Sequence, residues 1–360
     1  MLVHICCSVD SHHFLEKLQE DFPNEKLIGF FYDPNIHPYS EYKLRFYDVK
    51  YSCDILGIEL LEGEYDLDVW LKLVKGLENE PEKGDRCTVC FDRRLEVSAE
   101  KAKELGCKSF TTSLLISPKK SQDKLQIIGD KLAEQYNLNF IFKDYRAGNG
   151  VEMQGKAVKE NSLYRQNYCG CLFGLKAQRE QQDKLLDEMI SPITNQILPE
   201  SIEERIELYK KRNDLSIAQQ NFKIIKQRFL NYRILSGSVS VNKTITPSYF
   251  LAYSTLNNNK TAGQIEFDVS NIYYLNRDET KFITLEYFNV ITNNSFESIY
   301  DLIKNPISFD EEIEIRRLIT KNTFDLSCIV IVESIPTSKV EIQLNSKIFE
   351  DVKEHIILID

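Results

Sequence analysis

The chain has 360 residues, which exceeds a typical single domain and leaves room for a sizeable hydrophobic core. Its formal net charge of -10 argues against a general polyanion binder, although a local basic face would still allow a nucleic acid partner. No apolar run approaches the roughly 20 residues that cross a bilayer, and Met1–Ile5 is too short for a signal peptide. We therefore predict a cytoplasmic protein with no membrane partner.

Short apolar runs alternate with amphipathic stretches over the first half of the chain. The apolar runs predict strands near residues 2–6, 26–32, 57–61, 109–115 and 138–142. The stretches between them predict helices near residues 8–22, 40–57, 67–77, 87–105 and 121–136. Asp10 or Ser11 is the expected N-cap of the first helix. This alternation indicates a doubly wound α/β domain with a five-stranded parallel sheet.

The second half of the chain has a different pattern of charged and apolar residues. A charged, helical stretch comes first, and alternating segments separated by asparagine-rich turns follow from about Tyr232. We predict a metal and redox catalytic α/β domain over 1–182, a helical linker segment over 183–231, and a β-rich (α+β) accessory domain over 232–360. No interpretable cluster of thiols, carboxylates or histidines occurs in the accessory domain, so its sequence assigns it no role.

Six of the nine cysteines fall into three close groups. These groups are Cys6-Cys7, Cys87-x-x-Cys90 and Cys169-Gly170-Cys171. In a reducing compartment, clustered thiols indicate metal binding or redox catalysis rather than a disulfide framework. The isolated Cys53, Cys107 and Cys328 are interpreted as small buried hydrophobic residues.

The spacing of the thiols leaves several kinds of centre open. Cys87 and Cys90 at a helix start can reach one metal, and Cys6 and Cys7 bring the number of thiolates to four. Four thiolates suit either a [4Fe–4S] cluster or a zinc site, and two unrelated buried pairs are the plainer alternative. The Cys169–Cys171 pair could close a strained, easily reduced disulfide, or hold a second metal together with the carboxylate of Asp10.

The first loop resembles that of the PP-loop ATP pyrophosphatases. Cys6-Cys7-Ser8-Val9-Asp10-Ser11 stands where those enzymes have Ser-Gly-Gly-x-Asp-Ser, after the first strand and before a helix. Their glycines let backbone amides approach a pyrophosphate, whereas the Cβ atoms of Cys6 and Cys7 would crowd it. The resemblance implies a HUP/PP-loop-like scaffold with a metal in place of the nucleotide.

Together the motifs resemble the QueH family of epoxyqueuosine reductases. The resemblance rests on five motifs in chain order: Cys6-Cys7-x-x-Asp10, the loop 31–38, Arg86-Cys87-x-x-Cys90, the segment 111–120, and Tyr164-Arg165-Gln166-Asn167-Tyr168-Cys169-Gly170-Cys171. They cover residues 1 to about 180, and the chain beyond about residue 185 lies outside the family pattern.

The resemblance implies that an epoxide on a modified base in a tRNA anticodon is reduced by two electrons to the alkene. By similarity, Cys6, Cys7, Cys87 and Cys90 hold a [4Fe–4S] cluster. Cys169 and Cys171 are then either a redox dithiol or, with Asp10, ligands of a second, mononuclear iron that acts as a Lewis acid. An external electron donor is required, and the sequence does not identify it.

Several residues near these motifs are candidates for binding the tRNA. For the base and its ribose these are Tyr32, Asn35, Tyr164, Arg165 and Asn167. Lys119 and Lys120 are candidates for phosphate contacts. For each of these residues, packing within a loop or a solvated charged face is the simpler explanation.

Two other functions are compatible with the same residues. One is a zinc-stabilised nucleic-acid-binding module without redox activity, which would be colourless and would contain only zinc. The other is a nucleotide-using tRNA sulfur transferase on the same scaffold, which would bind ATP tightly.

Overall fold

The computed structural model describes residues 1–118, 120–190, 195–276 and 280–359, which form two compact units. The first unit contains Met1–Ile190, Arg205–Ile224 and the end of the chain from Ile356. The second contains Ile225–His355 and the stretch that ends at Glu204. Within the described ranges, every helix is too short or too polar to span a bilayer.

A five-stranded parallel sheet forms the centre of the first unit. Its strands are β1 (Leu2–Ile5), β2 (Ile28–Phe31), β3 (Glu59–Glu62), β4 (Ser109–Thr112) and β5 (Asn139–Phe140). They pair in the order β3-β2-β1-β4-β5, and every pairing is parallel. The predicted doubly wound α/β fold is therefore confirmed. The strand order reverses between β1 and β4, so a crevice opens beyond the carboxyl ends of these two strands.

Helices surround this sheet. They are α1 (Ser8–Asp21), α2 (Tyr39–Leu56), α3 (Leu67–Leu73), α4 (Asp85–Glu104), α5 (Gln122–Tyr136), α6 (Gly150–Glu160), α7 (Leu172–Gln181) and α8 (Ile202–Ile217). All four residues of β1 are fully buried, as expected of a central strand covered by helices on both faces. The apolar residues of β1, β2 and β4 form one core with those of α1, α4 and α5.

The start of α1 differs from the prediction. Cys7 is the N-cap and makes no side-chain capping bond, and the Ser11 amide donates to the Cys7 carbonyl at 3.0 Å. Asp10 and Ser11 therefore lie inside the helix, and the prediction that one of them caps it is wrong. The helix starts early because the turn that follows β1 already has helical hydrogen bonding. Both cysteines consequently lie at the junction of strand and helix.

The second unit is an α+β domain, which confirms the predicted β-rich extension. Its strands include β8 (Ser248–Phe250), β10 (Ile265–Val269), β11 (Ile272–Leu275), β12 (Lys281–Thr284) and β13 (Ile329–Val332), which form a sheet in the order β10-β11-β12-β13-β8. Its helices are α9 (Leu285–Thr292), α10 (Ile299–Lys304) and α11 (Phe309–Thr320). These helices and sheet share a buried aliphatic core.

Two long strands belong to a second sheet. It has the order β7-β6-β14-β9 and consists of β6 (Phe222–Val241), β7 (Thr244–Thr246), β9 (Lys260–Gly263) and β14 (Val340–Leu358). The helical linker predicted over 183–231 is therefore wrong from Phe222 onward. There, half-buried Phe222 and Ile224 alternate with exposed Lys223 and Ile225, which is the two-residue period of a strand.

Candidate metal centre

A cavity of about 530 Å³ lies beyond the carboxyl ends of β1 and β4. Cys6 and Asp10 line it from the β1–α1 junction, Arg86 from the start of α4, and Cys169 from the loop before α7. Residues from all three cysteine-bearing segments therefore face the same space. The sheet explains this arrangement, because the chain leaves parallel strands at one edge.

Cys6, Cys7 and Asp10 form the tightest ligand group. The two sulfurs are 3.7 Å apart, and the Cys6 Sγ lies 3.9 Å from the Asp10 Oδ2. In the parts of the chain that the structure describes, no other set of three His, Cys, Asp or Glu side chains has its ligand atoms within 4.8 Å of one another. Burial raises the pKa of Asp10, while Lys120 and hydrogen bonds from neighbouring side chains oppose that rise.

The Cys87 and Cys90 side chains lie in the first turns of α4. Cys87 is half-buried and accepts a hydrogen bond from the Lys83 amide at 3.3 Å, whereas Cys90 is buried in an apolar cluster with Trp70 and Cys171. Burial raises the pKa of the Cys90 thiol, and the nearby Arg94 guanidinium opposes this effect. Cys90 thus connects α4 to the cysteine loop before α7.

Two cations, the buried Arg94 and the half-buried Lys120, connect the three cysteine groups. The Arg94 guanidinium interacts electrostatically with both Cys6 and Cys90. The Lys120 ammonium does the same with Cys169 and Cys87. Burial alone would lower the pKa of Lys120, but Cys169, Cys87 and Glu82 together outweigh it, so the net shift of the pKa is upward. Positive charge is therefore available to offset several thiolates in a water-poor space.

Gly170 gives the third cysteine group its geometry. Its φ is 104°, and a Cβ atom there would lie 2.8 Å from the Ile36 side chain, so glycine is required. Ile36 and Cys171 form an isolated β-bridge, and the His37 amide donates to the Gly170 carbonyl at 2.8 Å. The sharp turn brings the two neighbouring sulfurs together.

Cys169 and Cys171 are free thiols in this structure, as are the other seven cysteines. The Cys171 thiol donates to Cys169, which lowers the pKa of Cys169 despite its burial, and Lys120 adds to the effect. The same hydrogen bond raises the pKa of Cys171. The hydrogen bond therefore favours a thiolate on Cys169 and a thiol on Cys171.

One face of α2 holds this loop. Glu41 accepts from the Tyr164 hydroxyl at 3.0 Å, and Arg45 donates to the carbonyls of Cys169 at 3.2 Å and Tyr168 at 3.0 Å. Asp48 accepts from the Tyr164 amide at 2.9 Å. Sequence reasoning missed these three residues, although three charged side chains at i, i+4 and i+7 share one helix face.

The structure separates the predicted substrate-binding residues into two sets. Arg165, Asn167 and Lys120 line the cavity. Tyr32, Asn35 and Tyr164 are buried and lie outside its lining.

The tyrosine hydroxyls are already engaged, because Tyr32 donates to Asp66 at 2.8 Å and Tyr164 donates to Glu41. Asn35 is 3 % exposed, in the loop behind the cavity. These three side chains hold the loops and do not line the cavity, and their contact with a base stays a prediction. Lys119, another predicted phosphate contact, lies outside the described residues.

Gln154 and Arg94 are site residues that the sequence did not reveal. Gln154 on α6 donates from Nε2 to the Asp10 Oδ1 and to the Val9 carbonyl, both at 3.0 Å. Arg94 forms a buried ion pair with Asp33, whose pKa burial raises to about 7 against the pull of Arg94 and Arg45. A signal for Arg94 did exist, because it stands four residues after Cys90 and hence on the same face of α4.

The side chains present fit an iron–sulfur centre. Cysteine thiolates are the usual ligands of such clusters, and each binds a different iron, so they lie farther apart than the ligands of a single ion. Cysteines from separate segments, Cys6 and Cys169, face the same cavity here. The compact Cys6, Cys7 and Asp10 set instead has the dimensions of a single-ion site.

Comparison with known proteins gives one family. The family model described as epoxyqueuosine reductase QueH matches residues 1–177. Epoxyqueuosine reductase QueH of Helicobacter pylori is 40 % identical over 375 residues, which cover 99 % of this chain and 100 % of the relative. The enzyme of the same name from Thermotoga maritima is 35 % identical over 188 residues, covering 51 % of this chain and 95 % of the relative.

Two solved structures of tRNA-modifying proteins are also similar, at a level that supports no conclusion about function. A predicted tRNA methyltransferase subunit from Methanocaldococcus jannaschii has a TM-score of 0.34 at 14 % identity, and covers 53 % of this chain and 92 % of its own. The U34-tRNA thiolase NcsA from Methanococcus maripaludis, solved with its [4Fe-4S] cluster, has a TM-score of 0.34 at 16 % identity. The match covers 59 % of this chain and 72 % of the thiolase chain. The extent of the two sequence matches decides the question: the chain belongs to the QueH family of epoxyqueuosine reductases.

Proposed function

We propose that this protein reduces epoxyqueuosine to queuosine in the anticodon of a tRNA. The observation that carries the proposal is that Cys6 and Cys169 line one cavity together with Arg94 and Lys120, whose charges also act on Cys90 and Cys87. Membership of the QueH family supports the same reaction, because the relatives named above are epoxyqueuosine reductases. A tRNA substrate is encountered in the cytoplasm, which is where we place the protein.

The reaction needs two electrons and two protons. Both C–O bonds of the epoxide break, the ring carbons form a double bond, and the oxygen leaves as water. An external reductant must supply the electrons. The chain's task is to bring the epoxide to the thiols, exclude water from the cavity and deliver protons to the departing oxygen.

Cys6, Cys7, Cys87 and Cys90 are the proposed ligands of a [4Fe–4S] cluster, which supplies electrons one at a time when bound. Arg94 supports this assignment, because its guanidinium interacts electrostatically with Cys6 and with Cys90, one thiol from each of the two ligand segments. A fixed positive charge there offsets the thiolates that a cluster requires.

Cys169 and Cys171 are the proposed redox dithiol. Oxidation of the Cys169 thiolate and the Cys171 thiol to a disulfide releases two electrons and one proton, so the second proton that the departing oxygen takes up comes from water. The turn at Gly170 and the shared proton between the sulfurs favour this role. The external donor then returns two electrons to the disulfide.

Asp10 is a proposed ligand of a second centre, a mononuclear iron. The carboxylate lies against Cys6 and Cys7 rather than against the Cys169–Cys171 pair. Since Cys6 and Cys7 are assigned to the cluster, a mononuclear iron on Asp10 is the alternative in which Cys169 and Cys171 are its ligands instead of a redox dithiol. Gln154 holds this carboxylate from the opposite side and fixes its orientation.

The mouth of the cavity is the proposed binding place for the modified base. Arg165 and Asn167 are exposed and line it, so their side chains are available to a splayed-out nucleotide. Lys120 faces the thiols beneath them, which suits a contact with the reacting group better than one with a distant phosphate.

The test is an anaerobic conversion assay. We expect the purified, reconstituted protein to be brown, to contain iron and sulfide, and to convert epoxyqueuosine-tRNA to queuosine-tRNA with dithionite as reductant. Mass spectrometry of the digested nucleosides measures the loss of one oxygen atom. Cys107→Ser is the matched control, because Cys107 is isolated from the cavity, and it should keep full activity.

Colourless protein that carries only zinc after reconstitution, and that binds tRNA without converting it, would reject the reductase in favour of the zinc-stabilised module. Tight ATP binding coupled to sulfur insertion would instead support the sulfur transferase.

A further inference from the structure

Asp48 connects two of the cysteine-bearing loops. Its carboxylate, on α2, is 1 % exposed and accepts hydrogen bonds from the Ser8 hydroxyl and from the Tyr164 amide. Ser8 directly follows Cys6-Cys7, and Tyr164 begins the segment that ends at Cys171. One buried carboxylate therefore fixes the backbone beside both thiol groups.

Arg212 supplies the counter-charge for this carboxylate. Its side chain is fully buried, and one guanidinium nitrogen donates to the Asp48 Oδ1 at 2.6 Å and to the Ser162 carbonyl at 2.8 Å. The guanidinium also lies over the rings of Tyr51 at 3.8 Å and Tyr209 at 4.9 Å. A buried carboxylate without such a partner would be strongly destabilising.

This arginine comes from outside the segment that the family model matches. The match ends at residue 177, whereas Arg212 lies on α8, Ile202–Ile217. The helix nevertheless belongs to the same compact unit as the cavity. The Helicobacter pylori relative aligns over this part of the chain as well, whereas the Thermotoga maritima relative aligns over 188 residues, 95 % of its own length.

We propose that Arg212 is a positioning residue that sets the spacing of the Cys6–Cys7 and Cys169–Cys171 thiols by holding Asp48 between their loops. The inference rests on the proposed function, because the thiol spacing matters for electron transfer to the substrate. One guanidinium nitrogen bonds Asp48 and the Ser162 carbonyl, the other two donate to the Asn213 Oδ1 at 3.0 and 2.7 Å, and the guanidinium plane stacks on two rings. Lysine offers a point charge and cannot reproduce this set of contacts.

The experiment uses Arg212→Gln and Arg212→Lys in the full-length chain, with Lys211→Gln as matched control. Lys211 is exposed on the same helix and takes no part in this network. Metal-free, reduced protein is treated with iodoacetamide, and mass spectrometry follows the alkylation rate at each cysteine. Cys107 serves as the internal reference, since it lies away from both loops.

Loosening the loops should expose their thiols. We expect alkylation of Cys169 and Cys171 in Arg212→Gln to accelerate at least about tenfold relative to Cys107, because local opening limits access to buried groups. Arg212→Lys should recover part of the protection, and Lys211→Gln should match the wild type. Hydrogen exchange of the Tyr164 amide should accelerate in the same order. Wild-type rates in a folded Arg212→Gln variant would overturn the proposal.

If Arg212→Gln fails to fold, the double variant Asp48→Asn with Arg212→Gln removes both buried charges and leaves a neutral pair. We expect this double variant to fold with faster alkylation at Cys169, and unchanged alkylation in it would overturn the proposal.

Activity then separates the two hypotheses. A positioning role predicts a lower kcat with an unchanged KM for epoxyqueuosine-tRNA in Arg212→Lys, whereas a general loss of fold would lower the melting temperature and the amount of active enzyme. Faster alkylation in a protein whose wild type does not reduce epoxyqueuosine would leave the positioning role standing and reject the function. If the wild type reduces epoxyqueuosine and Arg212→Gln shows wild-type alkylation and activity, the function stands and the positioning role of Arg212 is rejected.

Discussion

Five cationic side chains line the cysteine cavity in a chain whose net charge is -10, and three of them are close to the thiols. Arg45, Arg94 and Lys120 each interact with at least one thiol, and all three line the cavity. Charge–charge interactions strengthen as water is excluded, so these local charges govern what the cavity can hold. The net charge of the chain is a poor guide to the site.

Removing one sulfur of the proposed dithiol should separate cluster binding from turnover. We expect Cys169→Ser to retain most of the cluster absorbance near 400 nm but to lose activity by more than about 100-fold, because a serine cannot form a disulfide. Iron content and single-turnover conversion of epoxyqueuosine-tRNA measure the two properties. Cys107→Ser should change neither, and a Cys169→Ser variant that turns over normally would exclude the dithiol role.

The ammonium of Lys120 should stabilise the thiolate form of Cys169. We expect Lys120→Met to lower activity by about tenfold or more, because the thiolate of Cys169 loses a stabilising positive charge in a site of low dielectric. Lys131→Met, on the exposed side of α5, which begins two residues after Lys120, is the control. Equal single-turnover rates for the two variants would show that Lys120 is only a packing residue.

At the scale of secondary structure, the sequence pattern located each strand of the first sheet. Continuous apolar runs mark buried parallel strands, and the cysteines that follow β1 were placed correctly at a strand end. Helices α6 and α7 were not predicted, because glycines at 148, 150, 155 and 174 interrupt the helical periodicity there.

The direction of side chains was harder to predict than the elements that bear them. A tyrosine in a motif can stack on a base or donate its hydroxyl to a carboxylate inside the protein. Tyr32 and Tyr164 do the latter, and their partners Asp66 and Glu41 are 34 and 123 residues away. Local sequence contains no information about such distant partners, so contacts of this kind follow only from the folded structure.

The α2 face that holds the cysteine loop gives an element-scale prediction. We expect Arg45→Lys to lower the free energy of unfolding by about 1–3 kcal/mol, because a single ammonium cannot bond Glu41 and both loop carbonyls. Urea denaturation measures the change. Lys50→Gln, which removes an exposed ion pair on the same helix, should cost at most about 0.5 kcal/mol. Similar losses for the two variants would contradict the anchoring role of Arg45.

At the scale of the molecule, the chain order does not match the division into compact units. The first unit takes in Arg205–Ile224 and the residues from Ile356, although the second unit lies between them in sequence. Composition predicted an accessory domain near residue 232 but could not reveal that α8 belongs with the catalytic part. α8 packs against the first unit through buried side chains such as Arg212. The sequence of a charged helix does not show which of its charged side chains will be buried.

The second unit has its own buried polar centre at Glu312. Its carboxylate accepts from the Tyr249 hydroxyl at 2.5 Å, and from the Ala252 amide and the Gln196 amide nitrogen at 2.7 Å. We expect Glu312→Gln to destabilise the protein by about 1–3 kcal/mol near neutral pH, because an NH₂ group then faces buried donors. Calorimetry measures the loss, and the exposed Glu314→Gln should show almost none.

The same residue should give the protein a pH-dependent stability. Burial raises the pKa of Glu312 above its ordinary 4.5, and the three donors and Arg316 only partly offset this. Above pH 4.5 the unfolded chain therefore releases a proton that the folded chain still holds, so stability declines as the pH rises, until the folded pKa is passed. Glutamine has no proton to lose. The stability deficit of Glu312→Gln relative to wild type should consequently shrink between about pH 4 and about pH 7, and a deficit that is constant over this range would show that Glu312 is ionised throughout.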